Sequence, residues 1–188
     1  MELLAVILAI AYLLLVIRQN IWCWICAGIS SAIYVWLFIG ARLYMESLLY
    51  GFYVAMAVYG WVTWQRSGPD EADLPVRMWS LRIHAAAVAA IMVLAVTSGS
   101  LLETFTDAAF PYVDSLTTFA AIWATFLVAR KVFENWWYWL LIDAVSIFIY
   151  WTRELELTAL LFVIYVLVIP IGMTQWLRSY RAQTDTPQ

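Results

Sequence analysis

From Ile21 to Ile39 the chain carries no charged side chain, and neither do Leu116–Ala129 and Leu157–Trp176. Leu43–Trp64 and Leu81–Val96 are nearly as clean. Repeated apolar runs leave few ways to fold. A helix needs about 20 apolar residues to cross a bilayer, and backbone in lipid must satisfy its own hydrogen bonds, which favours helices. Composition agrees: 65% of residues are hydrophobic and 12% charged, against about 25% charged in soluble domains. The expected class is an all-α integral membrane protein.

Two further runs fit the same pattern with a flaw in each. Leu3–Ile17 is short for a span, and Trp136–Trp151 carries Asp143. The first could be taken for a signal peptide, but "ME" before it is acidic and no small-residue cleavage site follows. Counting both gives seven transmembrane helices.

Basic residues set the orientation. With seven spans, Arg18, Arg66, Arg77, Arg82, Arg130, Lys131, Arg178 and Arg181 fall on one side, eight of the ten. Arg42 and Arg153 fall on the other. Positive loops stay cytoplasmic, so the N-terminus is expected outside and the C-terminus inside. The formal charge of −3 gives no basic footprint for nucleic acid.

"CWIC" (Cys23–Cys26) has the Cys-x-x-Cys spacing of redox and zinc sites. Both cysteines lie in an apolar run, no third exists, and His84 is the one histidine. Two small fillers is the better account, and neither a metal nor a cofactor is expected.

The chain also repeats itself. At an offset of 115, Asn20 meets Asn135, Trp22 meets Trp137, Trp24 meets Trp139, Ser31 meets Ser146 and Trp36 meets Trp151. At an offset of 112, Tyr53 meets Tyr165, Gly60 meets Gly172, Trp64 meets Trp176, and Arg66-Ser67 meets Arg178-Ser179. Leucines match cheaply between greasy segments; tryptophan, asparagine and glycine in order do not. The repeat pairs the second and third helices with the sixth and seventh, an even displacement, so both halves point the same way. The expected layout is three helices, a linker, and three more. Repeat one covers residues 3–65, the linker helix 80–97, repeat two 112–178, and a polar tail 179–188. The polar loop Gln65–Arg77 is too short for a second domain. Parallel repeats of this kind build transporters with a substrate site between the halves.

In the sixth helix, Trp136, Trp139, Asp143, Ser146 and Tyr150 are spaced 3, 4, 3 and 4 and share one face. Leu141, Ile142, Val145 and Phe148 are expected opposite. An Asp at a helix centre costs about 2.5–3.5 kcal/mol on insertion scales, and such residues usually face a cavity or partner. An acid beneath indoles suits a flat cationic ring, which gains about 0.5–2 kcal/mol from each aromatic face. Blander accounts exist: an interfacial aromatic belt for Trp136 and Trp137, and an interhelical hydrogen bond for Asp143. The repeat mate of Asp143 is Gly28, so the scaffold itself does not need the acid. Tyr50, Tyr53 and Tyr165 are further candidates for the same cavity. Asp114 is first an N-cap candidate for the fifth helix, and Glu46 and Glu134 are expected to be solvated near span ends.

These residues resemble a known family. "ENWWYWLLID" (Glu134–Asp143) resembles the Glu-Asn-Trp-x-x-Trp signature of PnuC-type vitamin transporters. "YGWVTW" (Tyr59–Trp64) resembles the end of their third core helix, and "FPYVDS" (Phe110–Ser115) the start of their fifth. The resemblance implies a three-plus-one-plus-three fold like that of SWEET-type sugar transporters, often trimeric, in the bacterial inner membrane. It implies facilitated diffusion of nicotinamide riboside, trapped by a separate cytoplasmic kinase, with Trp136, Trp139 and Asp143 contacting substrate. Known nicotinamide riboside carriers have an amide in place of Asp143 and a glutamine in place of Tyr50. Those departures leave the substrate class standing and the individual vitamin open. Relatives carry thiamine or riboflavin, and the uncharged flavin gains least from a buried carboxylate.

No phosphate-binding Gly-x-x-x-x-Gly-Lys-Ser/Thr loop is present, and no catalytic constellation supports an enzyme. The competing class is a structural or partner-binding membrane subunit, in which Asp143 would be dispensable.

Overall fold

The computed structural model describes residues 1–40, 44–65, 74–106, 110–152, 154 and 156–184. Arg42, Arg66 and Arg153 of the charge tally, and the Arg66-Ser67 limb of the repeat, lie outside them. So does the side chain of Glu46. Seven helices are found among the described residues: α1 (Glu2–Ile17), α2 (Cys23–Gly40), α3 (Tyr44–Gln65), α4 (Leu81–Phe105), α5 (Pro111–Ala129), α6 (Asn135–Thr152) and α7 (Glu156–Thr184). Four of them, α2, α4, α5 and α7, are long and apolar enough to cross a membrane. α1 is apolar but shorter. α3, read from the sequence as a clean span, is not among the four, because its tyrosines and tryptophans count as weakly polar on a hydropathy scale.

Several helices outrun their apolar stretches. α4 continues nine residues past Val96, through "TSGSLLETF". Its hydroxyls bond back to their own helix: Thr97 Oγ1 to Val93 O (2.9 Å), Ser98 Oγ to Leu94 O (2.8 Å) and Thr104 Oγ1 to Ser100 O (2.7 Å). Such back-bonding satisfies the hydroxyls within their own helix. α5 starts five residues before Leu116, with Pro111 in the first position, where a missing N–H costs nothing. Asp114 is therefore not the N-cap. It sits inside the first turn, its N–H bonded to Phe110 O at 2.9 Å, where the helix dipole favours an acid.

The chain divides into two compact units. Unit one comprises Met1–Arg77, Val128–Phe133 and Ile171–Gln188; unit two comprises Met78–Leu127 and Glu134–Pro170. This division does not follow the repeats, since α7 changes unit after Pro170.

In unit one, α2 and α3 meet where Gly60 lies flat against the Trp24 indole. Trp24 is ringed by Tyr12 at 6.2 Å and by Trp64, edge-on at 5.5 Å. Ser30 Oγ on α2 donates to Ala5 O of α1 at 2.8 Å. Cys23 is buried and Cys26 half-buried, both in the first turn of α2.

In unit two, α4 buries only the stripe Ile91, Ala95 and Gly99, four residues apart. Gly99 admits the ring of Tyr112 from α5, whose hydroxyl donates to Glu103 Oε2 at 2.6 Å. A Cβ at Gly99 would overlap that ring and approach the Tyr112 Cα to 3.0 Å. Gly99→Ala is therefore expected to destabilise by about 1–2 kcal/mol, because the overlap reaches the Tyr112 Cγ and backbone Cα as well as its ring. Thermal unfolding in detergent checks it.

Candidate functional site

α6 holds the candidate face because its polar and aromatic residues keep the helical spacing. Trp136 is 1% exposed, Asp143 5% and Ser146 7%, while Trp139 and Tyr150 are half-buried. Leu141, Phe148 and Trp151 are exposed. The expected opposite face needs one correction: Ile142 is buried, packed with Ala121 and Ala124 of α5. α6 has neighbours around more than one stripe, so its buried arc is wider than the sequence pattern allows. Trp139 and Tyr138 pack on that alanine surface, which seats the Trp139 indole one turn from Asp143.

Asp143 lies at the middle of α6. Among the described residues it has no hydrogen-bond or ion-pair partner, and its side chain is buried. A buried carboxylate without a partner is costly in a membrane interior. The arrangement suits a ligand that brings the missing counter-charge.

At the two ends of α6 the surroundings differ. Glu134, expected to be solvated, accepts the Trp79 N–H (3.2 Å to Oε1) and approaches His84 Nε2 at 3.8 Å. The His84 Nδ1 lies 3.1 Å from the Tyr138 hydroxyl. These contacts fix the first turn of α6 to the start of α4, below the candidate tryptophans. At the other end, Tyr150 stacks on Phe162 of α7 (5.2 Å, 16° between planes), and Phe162 meets Tyr165 edge-on at 5.7 Å.

Tyr50 and Tyr53 belong to unit one. They meet edge-on at 5.5 Å, with Tyr34 at 4.9 Å and Phe38 at 5.2 Å from Tyr50. So Trp136, Trp139, Asp143, Ser146 and Tyr150 share one helix face, Tyr165 joins Tyr150 through Phe162, and Tyr50 and Tyr53 lie together in unit one. Sequence reasoning missed Phe162. The repeat offers the signal, since an offset of 112 places it on Tyr50, and both rings pair with a tyrosine three residues on.

The repeat mates also share environments. Trp22 and Trp137 are 59% and 52% exposed, Trp36 and Trp151 73% and 64%, and Ser31 and Ser146 both 7%. Trp24 and Trp139 differ: the first is 2% exposed, the second half-buried.

Comparison with known proteins gives relatives over most of the chain. The chain is 28% identical to the riboflavin/roseoflavin transporter RibM of Streptomyces davaonensis, over 93% of this chain and 84% of that one. It is 27% identical to the nicotinamide riboside transporter PnuC of Escherichia coli, over 77% of this chain and 71% of that one. Its fold matches a crystal structure of the vitamin B3 transporter PnuC with a TM-score of 0.74 at 21% identity, covering 96% of this chain and 82% of that one. A sequence profile for nicotinamide mononucleotide transporters matches residues 1–178. Helices apolar enough to span, a transporter fold and a profile running almost end to end all lead to one assignment: this multi-pass membrane chain belongs to the nicotinamide mononucleotide transporter family, a family of transporters and not of enzymes.

Proposed function

We propose that the chain carries a cationic heteroaromatic vitamin, nicotinamide riboside first, across the bacterial inner membrane by facilitated diffusion. Asp143 carries this reading. It is 5% exposed at mid-helix, lacks a partner among the described residues, and shares a face with Trp136 and Trp139. A pyridinium ring would stack on the indoles while the acid balances its charge. Ser146 and Tyr150 lie on the same face to meet sugar hydroxyls, and Tyr165 extends the aromatic lining. In this reading the three-plus-one-plus-three halves rock around the bound vitamin, with the N-terminus outside. A homotrimer fits the same reading, and phosphorylation in the cytoplasm retains the product.

A second reading has its own support. RibM, at 28% identity, carries riboflavin and roseoflavin, so a neutral flavin is the main competitor, with thiamine a third substrate. Uptake of labelled nicotinamide riboside, thiamine and riboflavin into liposomes separates them. The expected result is nicotinamide riboside entering until concentrations are equal and no further. Uptake of riboflavin alone, or of none of the three, would overturn the proposal.

A further inference from the structure

Trp64 and Trp176 are repeat mates, ending the third helix of each half, and they are 5% and 0% exposed. Both place an indole N–H on a backbone carbonyl, but not in their own half. Trp64 Nε1 donates to Ala129 O at 3.1 Å, the last residue of α5. Trp176 Nε1 donates to Val16 O at 3.0 Å, in the last turn of α1. Each half's last helix thus grips the first helix of the other half. The exchange is reciprocal, and all four segments lie in unit one.

The acceptors are matched as well. Carbonyls in the last turn of a helix are short of helical donors, and both helices break just beyond into a left-handed residue, Gln19 (φ 55°) and Lys131 (φ 49°). Side links reinforce each grip. Gln19 Nε2 donates to Ser179 Oγ at 2.8 Å beside Trp176. Arg130 Nη1 donates to the Tyr59 hydroxyl at 3.1 Å, and Lys131 Nζ lies 4.5 Å over the Trp64 ring.

We propose that Trp64 and Trp176 are a matched pair of gate residues, whose two indole bonds hold this basic end of the bundle shut and break once per transport cycle. The proposal rests on the carrier reading above. If the halves move against each other, every bond between them at one end must open at some stage. Two neutral hydrogen bonds suit that task, because each shifts an opening equilibrium by only about two- to tenfold. A pair of ion bridges would hold harder.

Cys23 supplies a native reporter. It is 0% exposed, and its neighbour Trp24 meets Trp64 edge-on at 5.5 Å. In a Cys26→Ala background in nanodiscs, labelling of Cys23 by a water-soluble maleimide follows opening of this end. Trp64→Phe and Trp176→Phe are each expected to speed labelling about two- to tenfold, and together by roughly the product. Trp64→His and Trp176→His keep a ring N–H and are expected to restore protection. Saturating nicotinamide riboside is expected to speed labelling of the Cys26→Ala protein carrying no further change. That arm decides the matter if the double phenylalanine variant is not monodisperse on gel filtration. Cys23 remaining protected in every arm, while liposome uptake runs normally, would make the grips permanent and overturn the gate alone. Absence of uptake for every vitamin would sink the carrier reading and the gate with it.

Discussion

Asp143→Asn is expected to lower uptake of nicotinamide riboside about five- to tenfold at subsaturating concentration, with folding intact and transport retained, since the carriers of that vitamin that this chain resembles have an amide there. The size follows from exchanging a charged contact for a neutral one, a difference of about 1–1.5 kcal/mol. The asparagine keeps the shape and hydrogen-bonding reach of the acid, so loss of charge alone is read. Riboflavin, having no charge to balance, is expected to lose nothing, which makes the ratio of the two uptakes the decisive number. Asp143→Leu goes further: it removes a group that costs about 2.5–3.5 kcal/mol at a helix centre on insertion scales. It is expected to unfold at higher temperature while transporting poorly. A leucine variant as active as the parent would make Asp143 a passive residue and remove it from the proposed substrate site.

The largest stability effect is expected at Gly60. A Cβ there would overlap three atoms of the Trp24 ring, Cε2, Cζ2 and Cδ2. That ring is 2% exposed and hemmed in by Tyr12 and Trp64. It is rigid and cannot swing aside. Gly60→Ala is therefore expected to cost about 1–3 kcal/mol, measured as a lower unfolding midpoint in detergent. By contrast, a Cβ at Gly28 meets the Ala57 Cβ at 3.4 Å, an ordinary contact. Gly28→Ala is expected to be nearly neutral, and the pair of variants separates local overlap from a general intolerance of the α2–α3 contact.

The existence of all seven helices was legible because apolar runs between charged punctuation leave a membrane chain little choice. Their ends were less so. Thr97, Ser98 and Thr104 look like a loop in composition, yet each bonds to its own helix and carries α4 onward. The α6 face was legible because a period near 3.6 survives in Trp136, Trp139, Asp143, Ser146 and Tyr150. Ile142 broke the expectation because burial depends on how many helices surround α6, which no spacing encodes. The exchanged grips of Trp64 and Trp176 were illegible for the same reason: the repeat marks the two residues as equivalent but does not say whose carbonyl each one finds.

Pro170 lies inside α7, where unit two gives way to unit one. Having no amide hydrogen, it leaves the Val166 carbonyl without its usual helical donor, and its ring crowds that turn. A rod missing one rung flexes at the gap before it flexes elsewhere. Any torque reaching α7 from its ends is thus absorbed at mid-length, in the turn between Val166 and Pro170.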